Sequence, residues 1–145
     1  MSDLFERILL LKKSPMFSEA QTDDLRTVAQ AMEEQTFFKD DRIFDINGQG
    51  DNMYIIERGR VGISLNKDPS VKGKYIATLE AGDCFGEMNL LDDQPRSATA
   101  HALEDTSVLT LEKERLRGLV INYPELSLSM LRSLSLRIRS ANETH

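Results

Sequence analysis

The sequence predicts a mainly β fold, a jelly-roll β-barrel with N-terminal helices and C-terminal lid helices, and three observations carry that prediction. Apolar residues recur at helical spacing in residues 1–33 and again in residues 112–145. Between them, residues 34–111 break into short period-two runs rich in Ile, Val, Phe, Tyr and Thr. Turn residues separate those runs at near-even intervals, the pattern of an all-β barrel or sandwich. No linker, internal repeat or low-complexity tract interrupts the order, so residues 1–145 read as a single domain, a length that one core supports.

Residues 3–13 carry Leu4, Ile8 and Leu11 at helical spacing, and Ser14-Pro15 ends that helix. The next helix is expected after Thr22 as N-cap, with Asp23 and Asp24 in the first turn, where the helix dipole favours them. Its stripe is Leu25, Val28, Ala29 and Met32. The strand runs follow as "TFFKDDRIFDI", "NMYIIERGRVGISL", "KYIATLEAGDCF" and "SATAHALEDTSVLTL", with turns at residues 47–50, 58–60, 66–70 and 81–83. "FGEMNLLDD" breaks this rhythm with one short helical turn. Residues 113–121 then form a helix that ends near Asn122-Tyr123-Pro124, and residues 124–139 a second, with proline in its first turn. Leu126, Leu128, Met130, Leu131, Leu134, Leu136 and Ile138 wrap more than half of that last helix. A helix wedged between its neighbours, a lid over a ligand, or a dimer seam would each use such a surface.

Composition excludes several functions. The chain has a formal net charge of -6, unevenly spread. Residues 112–139 hold six basic side chains (Lys113, Arg115, Arg117, Arg132, Arg137, Arg139) against three acidic ones (Glu112, Glu114, Glu125), so this segment is +3 and the rest -9. An acidic body repels polyphosphate, so nucleic acid is not an expected partner; the basic tail is most simply a solvated helix face. The run Ile8-Leu9-Leu10-Leu11 is far too short for a signal segment or a membrane span. Cys84 is the one cysteine, and a reducing cytoplasm is the simplest compartment for a chain without an internal disulfide.

Residues 82–100, "GDCFGEMNLLDDQPRSATA", carry the chemistry. Gly86 permits a backbone turn that a side chain would block, and the residues after it open a helical turn whose free N–H groups suit an anion. Arg96 supplies a planar, permanently charged fork for two phosphate oxygens. Ser97 and Ala98 are small enough for backbone and hydroxyl donors to approach the same group. One arginine with main-chain donors matches a single negative charge; a Mg-nucleotide site would need a Gly-rich loop with Lys and Ser/Thr, which the sequence lacks. Glu87 is an acceptor, so its natural target on a nucleotide is a ribose hydroxyl. Taken alone, Glu87 and Arg96 would read as an ion pair closing a loop.

The surrounding pattern reverses that reading. "FGEMNLLDDQPRSATA" resembles the phosphate-binding cassette of the cyclic nucleotide-binding domain family, in which Gly-Glu opens a short helix and Pro-Arg followed by small residues closes it. "GQGDNMYIIERGRVGI", "LEAGDCFGE" and "SATAHALEDTSVLTLEK" resemble the strands around that cassette, so the likeness covers nearly the whole chain. The resemblance implies that Glu87 accepts from the ribose 2′-OH and that Arg96 pairs with the exocyclic oxygens of a cyclic phosphate. It implies further that main-chain N–H groups of Gly86, Glu87, Met88, Asn89, Ser97 and Ala98 complete the cradle. The base would be covered by the C-terminal helix around Leu131, Arg132, Leu134 and Ser135. Asn89 departs from the family, which usually has a small residue there; an inward side chain would crowd the phosphate or add a bond to it. The expected ligand is cAMP ahead of cGMP, without a further cofactor; Ser97 could donate to phosphate alone or to a guanine amino group.

Other chemistry fits less well. Jelly-roll metal enzymes need converging histidines, and the chain has only His101 and His145. His101 reads as a packed or edge histidine, Cys84 as a buried strand thiol, and Asp92-Asp93 as a solvated turn. No nucleophile triad has credible spacing, so the expectation is a sensor and not an enzyme, acting on an effector protein or domain and able to pair as a homodimer through its last helix. A transcription regulator of the catabolite-activator type shares this barrel but continues into a helix-turn-helix, whereas this sequence stops at "SANETH"; an excised sensor domain of such a protein, or a ligand-free interaction module, are the alternatives.

Overall fold

The computed structural model describes residues 3–68, 70–87 and 94–143. The chain divides into two compact units, one of residues 33–113 and one that joins residues 1–32 to residues 114–145. Met88, Asn89, Asp92, Asp93 and the expected helical turn after Glu87 lie outside the described residues.

The first unit is an antiparallel jelly roll. Its strands are β1 (Glu33–Phe37), β2 (Arg42–Phe44), β3 (Asn52–Arg58), β4 (Val61–Ser64), β5 (Ala77–Leu79), β6 (Cys84–Phe85), β7 (Thr99–Ala102) and β8 (Thr106–Glu112). They form two four-stranded sheets, β1-β8-β3-β6 and β2-β7-β4-β5. Each long run of the sequence therefore contributes to both sheets. "TFFKDDRIFDI" breaks at Asp40, whose φ of 75° lies in the left-handed region that Asp tolerates, and Asp41 accepts from the Phe38 N–H at 2.8 Å. "NMYIIERGRVGISL" breaks at Gly59, with φ 103°, where a Cβ would sit 2.7 Å from Thr106 Cα; only glycine fits. Among the described strands, β4 with β5 is the one sequence-adjacent pair that hydrogen-bonds.

Period-two alternation delivers one face of each sheet to a shared core. Tyr54, Ile56, Phe85 and Val108 from one sheet meet Val61 and Ala100 from the other, with Phe37, Ile43, Phe44, Ile63 and Leu79 packed around them. Four aromatic rings knit this core: Tyr54 stacks on Phe85 at 5.0 Å between centroids, and Phe44 tilts against both at 5.9 and 5.8 Å. Phe37 meets Tyr54 edge-on at 6.5 Å. His101 is buried in β7, between β2 and β4, with the Tyr75 ring edge-on to it at 6.0 Å; it is a packed histidine of an inner strand.

The second unit holds α1 (Leu4–Lys13), α2 (Thr22–Ala31), α3 (Lys113–Asn122, whose first residue closes the jelly roll) and α4 (Pro124–Glu143). Asp3 caps α1 by accepting from the Glu6 N–H at 2.8 Å. Thr22 is the first residue of α2 and not its cap; that position falls to Gln21, which makes no side-chain cap bond. The stripe Leu25, Val28, Ala29 and Met32 is buried throughout. Arg7 bridges to α2 by donating to the carbonyls of Ala29 and Met32 at 3.3 and 3.0 Å.

Helix α4 runs four residues beyond the expected end at Arg139. Its buried face is half serine: Leu126 and Met130 are buried beside Ser129 and Ser133. The Ser129 and Ser133 hydroxyls donate back to the carbonyls of Leu126 and Ser129 at 2.7 and 3.0 Å, which lets polar groups sit inside without an unpaired hydrogen. Ser133 Oγ also accepts from the Glu19 N–H at 3.2 Å, pinning the loop between α1 and α2 to α4. Leu128, Leu131, Leu136 and Ile138 are 48–63 % exposed. Among the described residues no helix is long and apolar enough to cross a membrane.

Candidate functional site

Strand β6 ends at Gly86, whose φ of 78° turns the chain out of the sheet. The turn is sterically forced: a Cβ at Gly86 would lie 2.6 Å from Arg96 Nη1 and 3.2 Å from the Asn52 carbonyl oxygen. Arg96 approaches from the far end of the same loop. Its backbone is tied to the turn after β2, its N–H donating to Gly48 O at 2.8 Å and its carbonyl accepting from Asn47 N–H at 2.7 Å. Two residues of the "NGQG" turn thus fix where Arg96 stands.

The Arg96 side chain points inward and is only 3 % exposed. Nη1 donates to the Gly86 carbonyl at 3.0 Å and Nη2 to the Asn52 carbonyl at 2.7 Å. The guanidinium carbon lies 4.1 Å from the centre of the Phe44 ring and 5.9 Å from that of Tyr54. Burial pushes the guanidinium below its ordinary pKa, and Tyr54, Asp51 and Glu87 oppose that shift. Glu87 is itself buried, at 8 % exposure, with Cys84 Sγ 3.9 Å from its Oε2.

A cavity of about 200 Å³ opens beside this pair, lined by Phe44, Ile63, Cys84, Phe85, Gly86, Glu87, Ser97 and Ala98. Arg96 packs on two of its walls, Phe44 and Gly86. The cavity thus has one buried carboxylate and aromatic and aliphatic side chains in its wall, with the Arg96 guanidinium packed against Phe44 and Gly86.

Gly86, Glu87, Ser97 and Ala98, singled out in the sequence, line this one cavity, and Arg96 stands against it. Met88 and Asn89 lie outside the described residues. Leu131, Arg132 and Ser135 are exposed on α4 and Leu134 is half-buried there, in the other compact unit. Cys84 corrects an expectation: it is half-buried and faces the cavity, not a thiol sealed in a strand. The sequence reading missed Phe44, Ile63, Phe85 and Asn52. Alternation marks the first three as core positions only, and Asn52 contributes a backbone carbonyl, which no residue type announces.

Comparison with known proteins points the same way. The family model of the cyclic nucleotide-binding domain matches residues 34–123. A cAMP-dependent protein kinase regulatory subunit from Debaryomyces hansenii is 38% identical over 104 residues, covering 71% of this chain and 22% of its own length. A CRP-like cAMP-activated global transcriptional regulator from Mycobacterium tuberculosis is 24% identical over 133 residues, covering 92% of this chain and 59% of its own. The crystal structure of the N-terminal domain of a transcriptional regulator from Streptomyces coelicolor superposes with a TM-score of 0.81 at 26% identity, over 92% of this chain and 95% of that one. The chain thus spans about three-fifths of the bacterial regulator and about a fifth of the kinase subunit.

Proposed function

The chain belongs to the cyclic nucleotide-binding domain family, and on that premise we propose that its cavity takes a cyclic mononucleotide, cAMP in preference to cGMP, as the signal of a regulatory module. The observation that carries the reading is a buried guanidinium, Arg96, against a cavity whose wall includes the buried carboxylate of Glu87. A cyclic phosphate is a monoanion, so one guanidinium with main-chain donors of Gly86, Glu87, Met88, Asn89, Ser97 and Ala98 balances it. Glu87 accepts from the ribose 2′-OH, orienting the sugar in the same step. The cAMP-dependent and cAMP-activated relatives support cAMP, and cGMP-dependent kinase relatives at 29% identity keep cGMP as the competing ligand. Leu131, Arg132, Leu134 and Ser135 of α4 cover the base, and the helix shifts by as much as base contact discriminates its two arrangements. The effector is a partner protein or a further domain; the bacterial relative regulates transcription and the yeast one belongs to a kinase. The module acts in the cytoplasm and carries out no catalysis itself.

A melting experiment tests this directly. At a hundredfold excess over Kd, cAMP should add roughly 2.7 kcal/mol, a rise of several degrees for a chain this size, and cGMP less. No rise with either nucleotide would leave a ligand-free module of the same fold. Glu87→Gln should cost only about 1 kcal/mol of cAMP affinity, because the amide oxygen still accepts from the hydroxyl; calorimetry with the 2′-deoxy nucleotide should then give the same value for parent and variant.

A second reading concerns assembly. Leu128 and Ile138, each three residues beyond the stretch assigned to the base, are apolar and more than half exposed along one stripe of α4. We propose that two copies pair along this stripe. Sedimentation should give a dimer for the parent and a monomer for Leu128→Asp, a position outside the residues assigned to the base, with the melting temperature of the cAMP-saturated jelly roll little changed.

A further inference from the structure

We infer that Phe44 is the positioning residue for the Arg96 cation, holding the guanidinium through its ring face beside the cavity that Phe44 also lines; the inference deepens the proposed function and rests on it. In the plane of the guanidinium, the Gly86 and Asn52 carbonyls fix two nitrogens at 3.0 and 2.7 Å. Neither bond resists a tilt out of that plane. The Phe44 ring does, with the guanidinium carbon 4.1 Å from its centre, inside the range where the ring quadrupole attracts a cation. These three contacts are all uncharged.

The ring is itself immobilised. Phe85 and Tyr54 pack against it at 5.8 and 5.9 Å, and those two rings stack on each other at 5.0 Å. Strand β2 is irregular at this point: its register against β7 shifts between Arg42, opposite His101, and Phe44, opposite Ala100. A bulge re-aims the side chain that follows it. Phe44 also lines the cavity, so one ring touches both the cation and the space a ligand would fill. An aliphatic side chain would fill the same core volume, but it has no quadrupole to offer a buried charge.

The test separates ring electronics from packing. Pentafluorophenylalanine at position 44 keeps the ring's outline while reversing its quadrupole. Calorimetry with cAMP should show about fivefold weaker binding than the parent, with Phe44→Tyr close to the parent and Phe44→Leu between the parent and the fluorinated ring. In an Arg96→Ala background, fluorination should have no further effect. Equal cAMP affinity for the parent and the fluorinated chain, with Arg96→Ala still impaired, overturns the inference and leaves the proposed function standing. Should the parent bind no cyclic nucleotide, the proposed function fails and the ligand-free chain decides the rest. There the Arg96 Nη protons should resonate upfield from the ring current and move downfield in Phe44→Leu; Nη shifts unaffected by Phe44→Leu overturn the inference.

Discussion

Arg96→Ala should weaken cAMP binding by roughly 2–5 kcal/mol, the cost of truncating a buried charged partner and leaving the opposing anion in a poor dielectric. Calorimetry on parent and variant measures it, and equal affinities would remove Arg96 from the site. The fold should survive the substitution. The guanidinium is 3 % exposed and its charge is disfavoured by burial, so removing it relieves a desolvation cost while leaving the Gly86 and Asn52 carbonyls without their donor. These effects oppose each other, and Arg96→Met, which refills the volume, should melt close to the ligand-free parent. A variant that folds normally and has lost its ligand locates the defect in the site.

Gly86→Ala should damage stability and binding together. A φ of 78° costs an L-residue about 1–2 kcal/mol of strain, which urea unfolding will read. The added methyl would also sit 2.6 Å from Arg96 Nη1 and 3.2 Å from the Asn52 carbonyl. The guanidinium is the softer neighbour, so it moves, and its bond to the Gly86 carbonyl goes with it. Affinity for cAMP should therefore fall most of the way towards that of Arg96→Ala. Gly118→Ala provides the contrast: this glycine lies in α3, and a Cβ there meets nothing within 4 Å among the described residues, so the substitution should stabilise by about 0.5–1 kcal/mol and leave binding unchanged.

Much of the architecture could be read from spacing alone because local rules and burial agree there. The α2 stripe of Leu25, Val28, Ala29 and Met32 is buried as its helical period requires, and the change of period near residue 34 falls at the start of β1. The α2 cap differs from its expectation because Thr22 satisfies the residue preference for the position, whereas the chain begins its helical turn one residue earlier. The serines of α4 were silent in the sequence, since a serine that returns its hydroxyl to the preceding turn looks like one facing water.

Residue types and their order determined the class of fold, the family and the loop whose Gly86, Glu87, Ser97 and Ala98 line the cavity, because these depend on period, turn chemistry and a short motif. Tertiary structure alone decided that each long strand run divides between two sheets, that the "NGQG" turn anchors the Arg96 backbone, and that Phe44 and the Asn52 carbonyl complete the arginine's surroundings. The physical reason is distance along the chain. Asn52 and Arg96 are 44 residues apart, and neither a backbone oxygen nor the face of an aromatic ring leaves a mark in sequence until folding brings it against a buried charge.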